Sequence, residues 1–213
     1  MKPDMILFPD GSLKMCNEKR YAGYGSVILD PHKGKYITIN GRLNSKSIVY
    51  CEGWAVYKSF IILERIRKRK KIKHLRVLVI SDSKLTVQTF NEWILYAWDT
   101  SDWYNWKKNS GEAVKNQELY RSILNIITNG HYRVKFIHIN SHSNKKKNAI
   151  DKIKSKLTQA KVTIDDQTLN AIIEMNRLAD EAATAITSKD KDDDIKGIEW
   201  IDLIHRETKG DCK

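Results

Sequence analysis

Four acidic residues stand where the surrounding sequence is otherwise apolar or small. Asp10 closes the run Met5-Ile6-Leu7-Phe8-Pro9, and Asp82 follows the β-branched run "LRVLVIS" at 75–81. Glu52 falls in the first turns of a long amphipathic segment, and Asp180 sits in "NRLADEAA". A carboxylate against an apolar face is costly unless it is paired or binds a cation. Each also has an ordinary structural reading: Asp10-Gly11 as a turn, Asp82 as a helix cap, Glu52 as a helix-dipole partner, Asp180 as an exposed helix charge. Brought to one edge of a fold, the four would repel one another and demand divalent cations. Hard oxygen ligands favour Mg²⁺ or Mn²⁺ over zinc. Two such ions, about 3.5–4 Å apart, can activate a water and stabilise the leaving oxygen in phosphodiester cleavage.

The elements that would position these groups follow from hydrophobic period. Residues 5–9, 23–29 and 35–42 read as strands, the last with clean alternation. From Ser47 the spacing becomes helical, with Trp54, Val56, Tyr57, Phe60, Ile61, Leu63 and Ile66 recurring to about residue 68. "LRVLVIS" reads as a buried central strand. A helix is expected within 81–95, a polar loop over 100–116, a helix in "QELYRSILNIIT" ending near Asn129-Gly130, and a strand at 132–140. Residues 143–165 are rich in lysine without an obvious core. Asp165 or Asp166 could cap a last helix, and "SKDKDDD" opens a tail as an acidic linker before the short amphipathic piece "GIEWIDLI". Three strands, helix, strand, helices, strand, helix describe a mixed α/β sheet with helices packed on it.

Composition narrows the partner. The 213-residue chain carries 38 Lys and Arg against 26 Asp and Glu, a formal net charge of +12, which suits a polyanion. The basic residues cluster in "RIRKRKKIKHLR" (65–76) and "NKKKNAIDKIKSK" (144–156), and aromatics crowd "EWILYAWDTSDWYNWKK" (92–108). Charge interleaved with aromatics suits a surface that grips phosphates and packs on sugars or bases. A solvated lysine face beside core aromatics is the alternative for each segment. With no apolar run of 18 residues, no membrane span is expected. Neither a secretory leader nor a paired cysteine spacing is evident, and the scattered Cys16, Cys51 and Cys212 point to a cytoplasmic, reducing setting.

The ordered set "FPDGS…GYGSVIL", "CEGWAVYKSFIILE", "VLVISDSKLTVQTFNEW", "WKKNSGEAVKNQELYRSIL", "VKFIHINSHS" and "NRLADEAA" resembles the type 1 ribonuclease H family over residues 4–187. The resemblance implies an RNase H-like α/β fold, a five-stranded mixed sheet flanked by helices. It implies a catalytic domain over 1–187 with a lysine-rich insert at 143–165, followed by the tail 188–213. The implied activity is endonucleolytic cleavage of the RNA strand of an RNA–DNA hybrid by two-metal hydrolysis, leaving 5′-phosphate and 3′-hydroxyl ends. Two Mg²⁺ ions, replaceable by Mn²⁺, would be held by Asp10, Glu52, Asp82 and Asp180, with His142 assisting proton transfer or product release. By position, Asn116, Ser47 and Arg42 match a pocket for a DNA-strand phosphate, and Trp93 a DNA-channel aromatic. Asn17 corresponds to a base-contacting asparagine, and Gly11 to a point of close approach to the RNA. Ile48 and Val49 replace a pair of amides that better-known members place before Glu52. The tail offers a possible protein contact. Other readings are another nuclease or strand-transfer enzyme of the same fold, or a catalytically silent nucleic-acid-binding module.

Overall fold

The computed structural model describes residues 1–16, 19–97, 106–108, 110–139, 146–185 and 199–203. Its strands are β1 (Met5–Cys16), β2 (Lys19–Asp30), β3 (Lys35–Leu43), β4 (Leu75–Ser81), β5 (Tyr132–His138) and β6 (Ile201–Asp202). The helices are α1 (Ile48–Arg69), α2 (Lys84–Gln88), α3 (Gln117–Asn129), α4 (Lys146–Gln159) and α5 (Asp166–Thr184), with a π-helical stretch, Thr89–Ala97, continuing α2. They build one sheet in the order β5-β4-β1-β2-β3-β6. β1 pairs antiparallel with β2 and β2 with β3, whereas β1, β4 and β5 run parallel.

Alternation along the central strands divides the core into two layers. Met5 and Leu7 of β1, with Val77 and Val79 of β4, face a cluster filled by α1 and α3 residues such as Phe60, Leu63 and Ile123. Ile6 and Phe8, with Leu78 and Ile80, face the other side, filled by Ile172, Met175 and Leu178 of α5. Successive side chains of a strand point to opposite faces, so covering both faces demands unbroken apolar runs in the sequence. Ser47 caps α1 by accepting from the Tyr50 amide at 3.4 Å, and Arg67, Lys68 and Arg69 complement its carboxyl-terminal dipole. Asp165 caps α5 through the Thr168 amide at 2.7 Å. Among the described residues no helix is long and apolar enough to cross a membrane.

Three features differ from the sequence-based expectation. The sheet has six strands rather than five, because Ile201–Asp202 of the tail pairs with Lys35–Tyr36 on the β3 edge. The amphipathic piece therefore meets the domain in extended form: Trp200 packs against one core layer and Leu203 against the other. The lysine-rich insert holds a helix with a core after all: Ala149, Ile153 and Leu157 of α4 are buried at helical spacing, three small or aliphatic residues on a lysine background. Finally, Trp106 is fully buried, with the Arg121 guanidinium 5.3 Å from its ring centroid, so it belongs to the interior rather than to a nucleic-acid surface.

Candidate metal and nucleic-acid site

β1 and β4 run side by side through the pair Leu7↔Val79 and then part. Three residues beyond that pair on each strand stand Asp10 and Asp82. This is the crevice at the carboxyl ends of parallel strands, where open α/β sheets commonly bind their ligands. Asp82 itself does not cap α2; the adjacent Ser83 does, accepting from the Thr86 amide at 3.3 Å. Asp82 is left to project from the strand end, and its carbonyl meets His138 Nε2 at 3.1 Å.

Glu52 reaches the crevice because α1 lies directly on β1. A side chain at Gly11 would come within 2.5 Å of the Glu52 backbone nitrogen and 2.9 Å of Cys51 Cβ. Gly11 is thus required for the helix to approach, and its amide donates to Asp10 Oδ1 at 2.7 Å. On the opposite face α5 depends on a second glycine. Gly25 pairs directly across from Asp10 in the β1–β2 ladder. A side chain there would meet Ala183 N at 2.3 Å and Ala179 O at 2.5 Å, the backbone on either side of Asp180. Asn40 of β3 fastens the same turn by donating to the Ala182 carbonyl at 3.2 Å. Two glycines, one on each strand of a hairpin, therefore let two helices press toward Asp10 from opposite faces.

One carboxylate oxygen each from Asp10, Glu52 and Asp82 lie within 4.8 Å of one another. Asp10 is 6% and Glu52 8% exposed, and Glu52 Oε2 is buried without a hydrogen-bond partner. Burial, then the charges of Asp82 and Asp180, raises the Asp10 carboxyl to about 7. Burial, then Asp10 and Asp82, raises Glu52 to about 9. The Gly11 amide counteracts both shifts only in part. Asp180 lies outside the tight trio on an exposed position of α5, yet its charge acts on Asp10. An orphaned buried oxygen among converging carboxylates has the donor chemistry of a hard divalent cation site.

Of the residues matched to a phosphate pocket and a DNA channel, Ser47, Trp93 and Asn116 come together in the fold and Arg42 does not. Ser47 and Val49 at the start of α1, Trp93 of the π-helical stretch and Asn116 line one cavity of about 590 Å³. Asn116 is held in the left-handed region (φ 59°) at the start of α3, and the buried Tyr120 hydroxyl bonds with both Asn116 and Thr89. Trp93 is carried on a stretch anchored by Asn91 Nδ2, which donates to the Phe136 carbonyl at 2.9 Å, and by Phe90 stacked on Phe136 at 4.5 Å. Arg42 is not among the cavity's lining residues; it is exposed on β3, its guanidinium 5.3 Å from the Tyr21 ring centroid. The cations lining the cavity are Lys108 and Lys115, which sequence reasoning did not single out. Their signal was present in "WKKNSGEAVKNQ", but only the loop's return beside α1 gives it meaning. Asn17 and His142 lie outside the described residues. Val49 takes an apolar place in the cavity wall, and Ile48 is 42% exposed beside it.

A mixed sheet with carboxylates converging at the parting of two parallel strands has the layout of a site that could hold a divalent cation. The family follows: the RNase H family model matches residues 2–159, and the chain belongs to that family as a ribonuclease H. The match stops short of α5, so Asp180 is placed by the structure and not by the family alignment. No curated protein matches the chain. Among solved structures, LC9-RNase H1, described as a type 1 RNase H with the type 2 active-site motif, superposes with a TM-score of 0.50 at 17% identity. The match covers 75% of this chain and 74% of that one. The foamy viral protease-reverse transcriptase, solved in complex with an RNA/DNA hybrid, superposes with a TM-score of 0.51 at 14% identity, over 85% of this chain and 20% of its own. The same viral protein in complex with dsDNA gives 0.50 at 16% identity, over 85% and 95%. These likenesses speak to the fold.

Proposed function

We propose that the protein cleaves the RNA strand of RNA–DNA hybrids, leaving 5′-phosphate and 3′-hydroxyl ends. The observation that carries this reading is the convergence of Asp10, Glu52 and Asp82 within 4.8 Å at a strand-parting crevice, in a chain of the RNase H family. Asp10, Glu52, Asp82 and Asp180 would hold two Mg²⁺ ions, with Mn²⁺ as a substitute. Bound there, the ions supply a nucleophilic water at neutral pH and neutralise charge on the leaving oxygen.

The chain's own groups do the rest. The Gly11 amide, donating to Asp10 Oδ1, orients that carboxylate before substrate arrives, and Glu52 Oε2 is left for a cation, so little rearrangement is needed during reaction. The cavity of Ser47, Trp93 and Asn116, with Lys108 and Lys115, takes a phosphate of the DNA strand and fixes the register of the hybrid across the crevice. Arg42, outside that cavity, serves the backbone at longer range, and Asn17 and Gly11 approach the minor groove. Selectivity for RNA rests on 2′-hydroxyl contacts near Glu52 and Gly11. His142 assists proton transfer or product release.

Labelled RNA–DNA hybrid, double-stranded RNA and double-stranded DNA incubated with Mg²⁺ or EDTA test this reading. Cleavage confined to the RNA of the hybrid, abolished by EDTA and by Asp82→Asn, is expected. A hybrid intact in both Mg²⁺ and Mn²⁺ would overturn it.

A further inference from the structure

The densest basic run of the chain, residues 65–76, does not serve the carboxylate crevice. α1 carries it away: Lys70 lies about 27 Å along the helix axis from Glu52, at 1.5 Å per residue. At that far pole the start of β1, the β2–β3 turn, the end of α1 and the start of β5 surround a groove of about 700 Å³. Met5, Ile72 and Leu75 give it an apolar lining. Lys33, Lys70, Arg76 and Arg133 supply fixed positive charge around it, together with the imidazoles of His32, His74 and His131.

Two acidic residues line the same groove, and both are engaged. Asp4 holds the Arg76 guanidinium through both carboxylate oxygens, at 2.6 and 3.0 Å, with His32 Nε2 at 3.6 Å. The Asp30 carboxylate accepts from the amides of His32 and Lys33 at 3.2 and 3.1 Å and so closes the β2–β3 turn. Among the described residues, Lys33, Lys70 and Arg133 form no ion pair with a carboxylate. Instead Lys33 of the β2–β3 turn and Lys70 at the end of α1 line the groove together. Partial burial and the Lys33 charge hold the Lys70 amine below the usual lysine range, and Asp30 offsets this only in part. Lys70 also lies 5.5 Å from the Trp200 ring centroid, so the tail helps to hold it in place. Like charges gathered around one groove are relieved by an anion shared between them.

We propose that this groove is a second anion site, distant from the carboxylate crevice, for a ligand bearing two or more adjacent phosphates. Its volume suits a nucleotide-sized ligand. Lys33, Lys70 and Arg133 grip the phosphates as point charges and a planar fork, over the apolar lining. Two sources share this chemistry: a free polyphosphate and the backbone of a single strand of nucleic acid.

Calorimetric titration of the full chain in metal-free buffer separates them, with sodium pyrophosphate in one arm and a short oligothymidylate in the other. Saturable pyrophosphate binding, weakened about tenfold or more in Lys70→Glu/Arg133→Glu, assigns the groove to free polyphosphates. Oligothymidylate binding weakened by the same pair, with pyrophosphate inert, assigns it to a strand backbone. Both ligands indifferent to Lys70→Glu/Arg133→Glu and to the milder Lys70→Gln/Arg133→Gln would overturn the site. Hybrid cleavage at saturating substrate should match wild type in all these variants, so failure of the anion site leaves the nuclease reading intact, and the reverse also holds.

Discussion

Asp4 lies just before β1 and Asp10 midway along it, and their carboxyl groups are driven in opposite directions. The Arg76 side chain, bonded to Asp4 through two nitrogen–oxygen contacts, holds that carboxyl below its usual range. Asp10 meets burial and two further acids, and its carboxyl rises to about 7. The same contrast holds along α1, where Glu52 rises to about 9 and Glu64, bonded to Arg67 and to the Tyr132 hydroxyl, falls to about 2. Asp4 and Glu64, which serve the fold, each have a cation of their own in Arg76 and Arg67. Among the described residues Asp10 and Glu52 form no ion pair, and the native state carries repulsion that a bound divalent ion relieves.

The largest effect expected from this contrast is on activity. Asp82→Asn should lower hybrid cleavage by about a thousandfold or more while leaving the fold intact by circular dichroism, because one ligand of a shared cation site is lost. Next comes stability without metal. Folded-state values raised above the unfolded ones contribute stability that is present at low pH and lost as pH climbs through them. The metal-free protein should therefore lose melting temperature between about pH 5 and 9 through Asp10 and Glu52. Glu52→Gln should raise the melting temperature at pH 8 by several degrees, equivalent to about 1–3 kcal/mol, and thermal melts in a chelator check the sign.

A smaller effect concerns the second face of the crevice. Gly25→Ala should displace α5 and with it Asp180, costing about 1–3 kcal/mol and raising the Mg²⁺ concentration needed for half-maximal cleavage. The smallest is at the opposite pole. Asp4→Asn should lower the melting temperature slightly at neutral pH, the reverse sign to Glu52→Gln. Its effect should vanish as pH falls through the folded value of Asp4, below the usual carboxylate range.

Most of this arrangement is legible in the sequence, for physical reasons that vary by element. The apolar runs before Asp10 and Asp82 mark strands covered on both faces; β4 ends just before Asp82, whereas β1 runs past Asp10 to Cys16, and Asp10 meets the crevice because β4 has parted from β1 by then. Glu52 among Cys51, Ala55 and Val56 is legible because a lone acid on a core-facing stripe has no bland explanation once other acids converge on it. α4 is harder to read, since Ala149, Ile153 and Leu157 are too few and too small to outweigh seven lysines between 145 and 161. The two-residue β6 has no period to detect; its register is set by Trp200 and Leu203 finding the two core layers. Arg42 matches by position, but the fold places it outside the cavity that Ser47, Trp93 and Asn116 line, which no spacing in the sequence announces. Gly25 carries a role no spacing announces: its value lies in what α5, far along the chain, places against it.

The central claim, that the crevice carboxylates are gathered for a divalent cation that serves hybrid cleavage, is tested most directly by adding Mg²⁺ to metal-free protein at pH 8. Melting temperature and hybrid cleavage are then followed on the same sample. Wild type should gain melting temperature and RNA-strand cleavage over one range of Mg²⁺, and Asp10→Asn/Glu52→Gln should gain neither. An unchanged melting temperature and an intact hybrid in Mg²⁺ would contradict the account.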